Sequence, residues 1–569
     1  MTQTVRPYEV TFKQKFMQKL RELKGVLREV WGYGTGRAGL ILLAVLISVS
    51  IYAALTMPPN FVDNYWDNLA VLVENPDVVP PEWTKYFGLP YAPHVAVIKD
   101  EPDEAQYLAR LYTVQANYTL KYTLEHSVFP KGILVRLRGI LIDSQRMQGP
   151  RYKLFLKRPD GITLLLVKDV IQITSNTSLV NSRVYTGSYC DILLTEQKLN
   201  YMDILRYLII KYADKEGILY QNETTGQYYV KLISADGEEY NVDLGTAISL
   251  LKKEITLNPN NYIFGDIVDM KPMFESTAEG GYKLSGIQVL TRPLTGEYEL
   301  TLELDYIGIM THIDAKNYME RPVLETKMIV KGTVFGIMGT DSEGHDLALG
   351  LLYGFPVAMS IGLVVAVITS MIGLLVGTVS GYYGGVVDEV VQRIIDVMGN
   401  IPLLPILILL ANIVVALFPN NPVLILLTIL LILVVFGWGG LAIITRSMTL
   451  SIKEEPYIEA AKALGSGNRR ILFKHIVPQI IPYIVANMVF SVPNAILTEA
   501  GLSVIGIRHG LPTWGAILAS ANTPQTRAVA MRSWWWIIPP GLLISITSLA
   551  FVLLGMALEK IVEPRFRTA

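Results

Sequence analysis

Six long apolar segments constrain the fold of this chain more than any other feature of its sequence. Each has at least 18 residues, and about 20 apolar residues in an α-helix span the hydrocarbon core of a bilayer. We therefore expect a mostly α-helical membrane protein with six transmembrane helices. The segments cover residues 38–55, 353–378, 394–418, 423–445, 480–505 and 534–558.

Basic residues set the expected orientation of these helices. Lysine and arginine are frequent before residue 38, in a loop at residues 446–479 and after residue 558. Because positive residues stay on the cytoplasmic side of a plasma membrane, residues 1–37 and the tail 559–569 are expected in the cytoplasm. The region after the first helix is then expected outside the cell.

The N-terminal region predicts a basic amphipathic helix at residues 12–31 that lies in the membrane interface. Apolar residues recur there at intervals of three and four, and lysine and arginine occupy the other positions. A soluble helix packed on a partner is the alternative. The charged region is too long for a signal peptide, so residues 38–55 are expected to remain as the first transmembrane helix.

A polar region at residues 56–338 separates the first two apolar segments. Strand patterns at 152–157 and 162–170 flank Pro159-Asp160-Gly161, which predicts a β-hairpin. Further strands are expected at 228–234, before a turn at 236–237, and as another pair at 282–290 and 298–307, with one helix at 198–213. We expect a large β-rich α+β extracytoplasmic domain inserted between the first two helices.

Three N-x-[ST] sequons lie in this region, at Asn117, Asn176 and Asn222. They are candidate N-glycosylation sites because the expected topology places them outside the cell, and chance occurrence is the alternative. Together with the many tyrosine and isoleucine residues, they would suit a glycoprotein of an archaeal cell envelope.

The loop at residues 446–479 carries clear helix punctuation. Residues 457–464 indicate a short helix, Gly465 suits a left-handed stop, and Gly467-Asn468 can begin a second helix. The loop is therefore predicted to form a rigid helix–turn–helix that protrudes from the membrane.

The residues of this loop follow a known pattern. Glu459-Ala460-Ala461 is followed by three residues, Gly465, nine residues and His475-Ile476-Val477-Pro478. This spacing resembles the EAA loop of ABC importer permeases, and further motifs resemble the second, six-helix permease subunit of the dipeptide/oligopeptide type. Those motifs are Gly339-Thr340-Asp341 with Gly344-His345-Asp346, Gly381-Tyr382-Tyr383-Gly384-Gly385 with Asp388, Arg393 with Asp396 and Pro402, Pro512-Thr513-Trp514-Gly515, and Glu563-Pro564-Arg565.

The resemblance implies the type I ABC importer permease fold, with residues 339–558 as the permease core. It implies that Glu459, Ala460, Ala461 and Gly465 couple the chain to ATPase subunits, which bind ATP and Mg²⁺. The implied partners are a second homologous permease subunit, two ABC ATPase subunits, an extracytoplasmic substrate-binding protein and membrane lipid. The chain itself is expected to be a translocation subunit without catalytic residues, cofactor or metal.

Two features depart from the family pattern. Pro356 stands where relatives commonly have arginine or another polar residue, so the role of that position is open. The region between the first two helices is long, whereas most bacterial relatives keep it short. Because Pro81, Trp83 and Phe87-Gly88 resemble the short family linker, we expect an insertion between about residues 89 and 334 whose ends lie close together.

Composition and motifs exclude several other classes. A net charge of −1 excludes a basic nucleic-acid binder, and the single cysteine, Cys190, excludes an intrachain disulfide framework. The sequence contains no GxxxxGK[ST] phosphate loop, so the ATPase must be another chain. His345 with Asp341 and Asp346 indicates a capped helix start rather than a metal site.

Polar residues follow one face of the fifth apolar segment. Asn487, Ser491, Asn494 and Thr498 recur at intervals of four, three and four. Such a stripe lines a translocation path or forms hydrogen bonds between helices. Glu499, one residue further and near the outer end, is a candidate contact with a partner subunit or an outer gate.

The sequence therefore predicts the permease subunit of an ATP-driven, binding-protein-dependent importer of di- and oligopeptides that works by alternating access. Import of oligosaccharides or a metal chelate by the same machinery is one alternative, and a membrane-anchored receptor is another. A membrane-embedded enzyme is disfavoured because no intramembrane acid/base pair has suitable spacing. The outer domain is expected to help dock the binding protein, with a protective cap as the alternative.

Overall fold

The computed structural model divides the chain into two compact units. Residues 1–72 and 345–569 form the membrane unit, and residues 73–344 form the β-rich unit. The structure describes residues 24–126, 128–141, 149–171, 177–180, 183–186, 189–193, 205, 219–221, 227–233, 239–257, 259–276, 282–309, 312–418, 421–506 and 510–562.

The described secondary structure of the membrane unit consists of helices joined by short turns. Short π-helical turns at Val62–Trp66 and Leu472–Ile476 and a helical turn at Leu69–Leu72 connect the longer elements. The labelled helices are α1 Gly34–Thr56, α2 Leu347–Tyr383, α3 Gly385–Asn400, α4 Leu403–Leu417, α5 Pro422–Gly437, α6 Gly439–Lys453, α7 Pro456–Ala463, α8 Asn468–Ile471, α9 Val477–Val504, α10 Trp514–Ala521, α11 Arg527–Ala530 and α12 Trp534–Val562.

In the described part of the chain, five helical stretches are long and apolar enough to cross a membrane. They correspond to five of the six predicted segments, and the chain is a multi-pass membrane protein. The stretches are Gly34–Thr56, Leu347–Tyr383, Val423–Lys453, Asn468–Val504 and Trp534–Val562.

The third predicted span, residues 394–418, is bent rather than straight, and its crossing of the membrane stays a prediction. The axes of Gly385–Asn400 and Pro405–Val414 meet at 83°. Pro402 follows Ile401, whose ψ of 124° is extended, because proline disfavours helical backbone at the residue before it. A count of six spans is reached only if this bent pair is one span.

Close backbone contact joins α2 to α6. A β-carbon added at Gly377 would lie 2.0 Å from Thr445 Oγ1 and 2.3 Å from the carbonyl oxygen of Ala442. The Thr445 hydroxyl also donates a 2.8 Å hydrogen bond to the carbonyl oxygen of Gly373. Small residues that permit such an approach are typical of helix interfaces in membranes. They fix α2 against the helix that leads into the 446–479 loop.

The β-rich unit contains antiparallel sheets that share one apolar core, as predicted for a β-rich α+β domain. The helices of this unit are Leu244–Leu257, Pro259–Ile263 and His312–Glu320, with 3₁₀ turns at Glu82–Phe87 and Ala109–Leu111. Its strands are β1 Val95–Lys99, β2 Glu104–Leu108, β3 Thr113–Leu124, β4 Gly132–Ile140, β5 Arg151–Lys157, β6 Thr163–Val170, β7 Thr177–Val180, β8 Arg183–Thr186, β9 Tyr189–Leu193, β10 Leu219–Gln221, β11 Tyr228–Ile233, β12 Glu239–Asp243, β13 Gly265–Ser276, β14 Tyr282–Pro293, β15 Gly296–Ile307 and β16 Val323–Lys331.

Two larger sheets build the core. Their strand orders are β2-β3-β15-β5-β6 and β1-β16-β4-β9, and both supply buried side chains such as Tyr118 and Leu137. The buried rings of Phe264 and Tyr298 lie 5.2 Å apart at their centroids. Three further groupings, β10-β11-β12, β13-β14 and β7-β8, complete the described strands.

The strand predictions were correct in position and only partly correct in pairing. The predicted hairpin forms between β5 and β6, with Gly161 at a left-handed φ of 83°. The segments at 282–290 and 298–307 are strands but not partners, because β14 pairs with β13 while β15 lies between β3 and β5. Residues 12–23, the turn at 236–237 and the predicted helix at 198–213, except Leu205, lie outside the described residues.

The ends of the predicted insertion lie close together. The amide of Ala92 donates to Thr333 Oγ1, and the amide of Thr333 donates to the carbonyl oxygen of Ala92, both at 2.9 Å. Beyond these residues β1 pairs with β16, with Val95 opposite Val330. This confirms the prediction that the two ends of the insertion lie close together. The chain enters and leaves residues 92–333 at neighbouring points.

Candidate functional site

The 446–479 loop contains the short helix α7, which ends in a defined C-terminal capping motif. In α7, Pro456 occupies the first turn, where its missing N–H leaves no helical bond unmade. Gly465 has a left-handed φ of 79°, its amide donates to Lys462 O at 2.9 Å, and the Ser466 amide donates to Ala461 O at 3.0 Å. These two bonds define a Schellman motif, which satisfies the last carbonyls of the helix. Gly465 therefore sets the angle of the turn, as predicted.

Apolar packing holds the 446–479 loop against the neighbouring helices α2 and α9. Ile458 is the buried residue of α7, and it joins a cluster with Ile471, Leu472, Ile476 and Tyr382. The cluster runs from α7 through the π-helical turn to the start of α9. Close-packed side chains therefore join α7 to the start of α9.

The outward side of the loop is exposed. Glu459, Ala460 and Gly465 are exposed and Ala461 is half-buried. Leu464 is 86% exposed and Phe473 is 54% exposed, although both are large apolar residues. An exposed patch that combines apolar side chains, bare backbone and a carboxylate is typical of a protein interaction site.

Polar contacts join the loop and its neighbouring helices. The Tyr382 hydroxyl, near the end of α2, donates a 3.0 Å hydrogen bond to Asn468 Oδ1 at the start of α8. Asp388 in α3 accepts a bidentate hydrogen bond from the guanidinium of Arg446 in α6, and it also accepts one from the Ser380 hydroxyl. Bidentate arginine–carboxylate pairs fix orientation as well as distance.

The structure keeps the polar stripe of α9 on one face. Asn487, Ser491 and Thr498 are half-buried, and Asn494 is exposed. The Ser491 hydroxyl donates to Asn487 O at 3.0 Å, and the Thr498 hydroxyl donates to Asn494 O at 2.7 Å. Both hydrogen bonds lie within α9, so neither of them joins α9 to a neighbouring helix. A role in the path stays a prediction.

Glu499 points away from this stripe. It is only 2% exposed, and its Oε1 accepts from Thr513 Oγ1 at 2.8 Å and from Ser503 Oγ at 3.0 Å. Thr513 also caps α10, since its Oγ1 accepts from the Ala516 amide. In this conformation Glu499 holds the turn before α10, and a contact with a partner subunit or an outer gate stays a prediction.

The remaining candidate residues contribute to packing and helix capping. His345 is buried and its ring stacks on Trp66 at 4.3 Å, while the Asp346 side chain caps α2 by accepting from the Ala348 amide. Pro356 lies inside α2 and lines an apolar cavity of about 370 Å³. No cluster of three or more His, Cys, Asp or Glu suited to a metal occurs among the described residues.

The sequons differ in what the structure describes. Asn117 is half-buried in β3, which pairs with β2 on one side and β15 on the other. Its Oδ1 is buried, whereas glycan acceptors need an exposed side chain. Asn176 and Asn222 lie outside the described residues.

Sequence reasoning missed the contacts between Tyr382 and Asn468 and between Asp388 and Arg446. The only sequence signal for them is the presence of polar residues at the ends of apolar segments. Their partners are 86 and 58 residues away along the chain, so no local pattern could pair them.

Comparison with known proteins gives a consistent result. Residues 373–568 match the family model described as binding-protein-dependent transport system inner membrane component. The chain is 35% identical over 231 residues to the dipeptide transport system permease protein DppC of Bacillus subtilis, covering 40% of this chain and 68% of that protein. It is 35% identical over 231 residues to the oligopeptide transport system permease protein OppC of Bacillus subtilis, and 36% identical over 234 residues to OppC of Salmonella typhimurium. Each alignment covers 40% of this chain and 72% of the relative.

Proposed function

The chain belongs to the family of dipeptide and oligopeptide ABC transporter permeases, and we propose that it is a translocation subunit of an ATP-driven importer of di- and oligopeptides. ATP and Mg²⁺ bind to partner ATPase subunits, and a second permease subunit completes the path. An extracytoplasmic binding protein delivers the substrate. The observation that carries this proposal is the exposed helix α7, which ends at the left-handed Gly465 and packs against the start of α9 through Ile458.

Coupling proceeds through rigid contacts. Two ATPase subunits that close around ATP move α7 by contact with exposed residues of α7 and of the turn after it, among them Glu459, Leu464 and Gly465. The cluster around Ile458 transmits this movement to α9, and the Tyr382–Asn468 hydrogen bond transmits it to α2. Rigid-body motion of packed helices then alternates access to the path.

The proposed topology places both termini and α7 in the cytoplasm and the β-rich unit outside. Its support is the basic character of residues 1–37, of the 446–479 loop and of the C-terminal tail. In this orientation the polar stripe, at residues 487–498, occupies the middle and outer part of α9.

Uptake by the reconstituted transporter tests the substrate. Proteoliposomes containing this chain with its partner permease, ATPases and binding protein should accumulate labelled di- or oligopeptide only when ATP is enclosed with the ATPases. Competition by unlabelled peptide should reduce the accumulation. Uptake of oligosaccharide or a nickel chelate in place of peptide would refute the peptide assignment while leaving the permease role intact.

A further inference from the structure

We propose that α3 is an interfacial helix, which lies along the membrane surface on the side of the coupling loop with its apolar face among the lipids. The proposal concerns a surface and its partner, the headgroup region of the bilayer. It explains why the predicted third span is bent, and it does not depend on the transported substrate.

The amphipathic pattern of α3 is the first observation. Val386, Val390, Ile394 and Val397 follow one another at intervals of four, four and three, which places them on one face. Their exposed fractions are 76%, 51%, 45% and 61%, so no part of the chain that the structure describes covers this face. Asp388, Glu389, Gln392, Arg393 and Asp396 form a polar face, and the other apolar residues, Val387, Val391, Ile395 and Met398, continue the apolar side. A helix of this kind is typical of membrane interfaces.

The angle between α3 and the next helix is the second observation. The axes of Gly385–Asn400 and Pro405–Val414 meet at 83°. The apolar stretch at residues 401–418 is interrupted only by Asn412, and its helical part is the 15 residues Leu403–Leu417. If α4 crosses the bilayer, then α3 runs nearly parallel to its surface.

The turn before α3 supports the same placement. Gly384 and Gly385 both have left-handed φ, of 65° and 54°, so the chain changes direction abruptly where α2 ends. The Asp388–Arg446 ion pair then holds the first turn of α3 against α6. Asp388 lies on the side of α3 opposite Val390, so this contact turns the apolar face away from the protein.

Charge excludes the spanning alternative on energetic grounds. A transmembrane α3 would bring Glu389, Arg393 and Asp396 into the hydrocarbon, where charged side chains are unfavourable. An interfacial α3 keeps these side chains in water and the valines at the boundary with the acyl chains.

Depth measurements test this placement on the assembled transporter in nanodiscs. In a Cys190→Ser background, single cysteines replace Val386, Val390 and Val397, each labelled with an environment-sensitive fluorophore. Lipids carrying a nitroxide near the headgroup or deep in the acyl chain then quench the label. Leu409, Ile413 and Leu417 of α4 provide the matched transmembrane series, because they are also exposed and apolar.

All three α3 positions should show the same shallow depth, with about two-fold stronger quenching by the shallow nitroxide than by the deep one. Labels at Glu389 and Asp396 should instead be quenched by aqueous iodide, and the α4 series should show graded depth. A steady change of depth from residue 386 to residue 397 would overturn the proposal in favour of a spanning helix. Absence of lipid quenching at all three positions would overturn it in favour of a protein-covered face.

Discussion

The hydroxyl of Tyr382 donates a hydrogen bond of 3.0 Å to Asn468 Oδ1, which joins the end of the 37-residue helix α2 to the 446–479 loop. The same tyrosine packs in the apolar cluster around Ile458. One side chain therefore takes part in both the polar and the apolar connection between α2 and the loop.

Removal of this hydroxyl should weaken coupling without preventing assembly. Tyr382→Phe keeps the ring in its cluster and removes a hydrogen bond worth about 1 kcal/mol. We expect fewer substrate molecules transported per ATP hydrolysed, with normal recovery of the ATPase subunits. Tyr383→Phe is the matched control, since its half-exposed ring is adjacent. Equal effects of the two substitutions would argue against a specific role of the Tyr382 bond.

The Asp388–Arg446 pair gives a second prediction. Asp388→Asn removes the charge and Arg446→Lys removes the bidentate geometry, so both should lower transport by a similar factor. The double variant should be no worse than either single variant, because the two residues act as one contact. Glu389→Gln, at an exposed neighbouring position, should have little effect. Fully additive losses in a double-mutant cycle of transport rate would contradict the pairing.

The β-rich unit should lose stability in acid through His94. Burial, together with Lys331 and Lys327, lowers the pKa of His94 to about 4 from its usual value near 6.5, and Glu74 opposes this shift. The folded unit therefore binds fewer protons than the unfolded chain between these pH values, and its stability falls as the pH drops from about 6.5 to about 4. The loss should be on the order of 2 kcal/mol after allowance for the partial exposure of the ring.

Thermal unfolding of the segment 73–344 as a function of pH provides the measurement. His94→Gln should flatten the dependence in this pH range, because glutamine does not titrate. A dependence that is identical in the two proteins would assign the acid sensitivity to other groups.

Removal of the inserted domain should weaken docking of the binding protein without affecting assembly with the ATPase subunits. Because Ala92 and Thr333 are hydrogen-bonded to each other, the chain enters and leaves the insertion at neighbouring points, and a short flexible linker from Leu89 to Val334 can replace it. The shortened chain should still insert into the membrane and recover the ATPases. We expect weaker affinity for the binding protein, measured by surface binding to the transporter in nanodiscs. Unchanged affinity would exclude the docking role and favour a protective cap.

Local signals predicted much of the fold. The short helix at residues 456–463, the stop at Gly465 and the hairpin at Gly161 depend on neighbouring residues, so their sequences suffice. Apolar composition found five spans but could not detect the break at Pro402, because a broken and a straight segment share the same hydropathy. The position of β15 between β3 and β5 is set by contacts across the chain. For the same reason the inward direction of Glu499 was not predictable.

Substitutions at Gly465 test the proposed coupling role of α7 most directly. A left-handed φ is unfavourable for a β-branched residue by about 1–2 kcal/mol, whereas asparagine tolerates it. No heavy atom lies within 4 Å of a β-carbon added at Gly465, so Gly465→Val acts through backbone strain and not through a clash. Gly465→Asn is therefore the matched control, and Glu459→Lys tests the exposed charge separately.

The measurement is the number of peptide molecules imported per ATP hydrolysed by the complete transporter in proteoliposomes. We predict that Gly465→Val and Glu459→Lys lower this ratio, the former by up to about tenfold as the turn is displaced, while Gly465→Asn stays close to wild type. Membrane insertion should be normal in all three. An unchanged ratio in both Gly465→Val and Glu459→Lys would contradict the assignment of α7 as the coupling element.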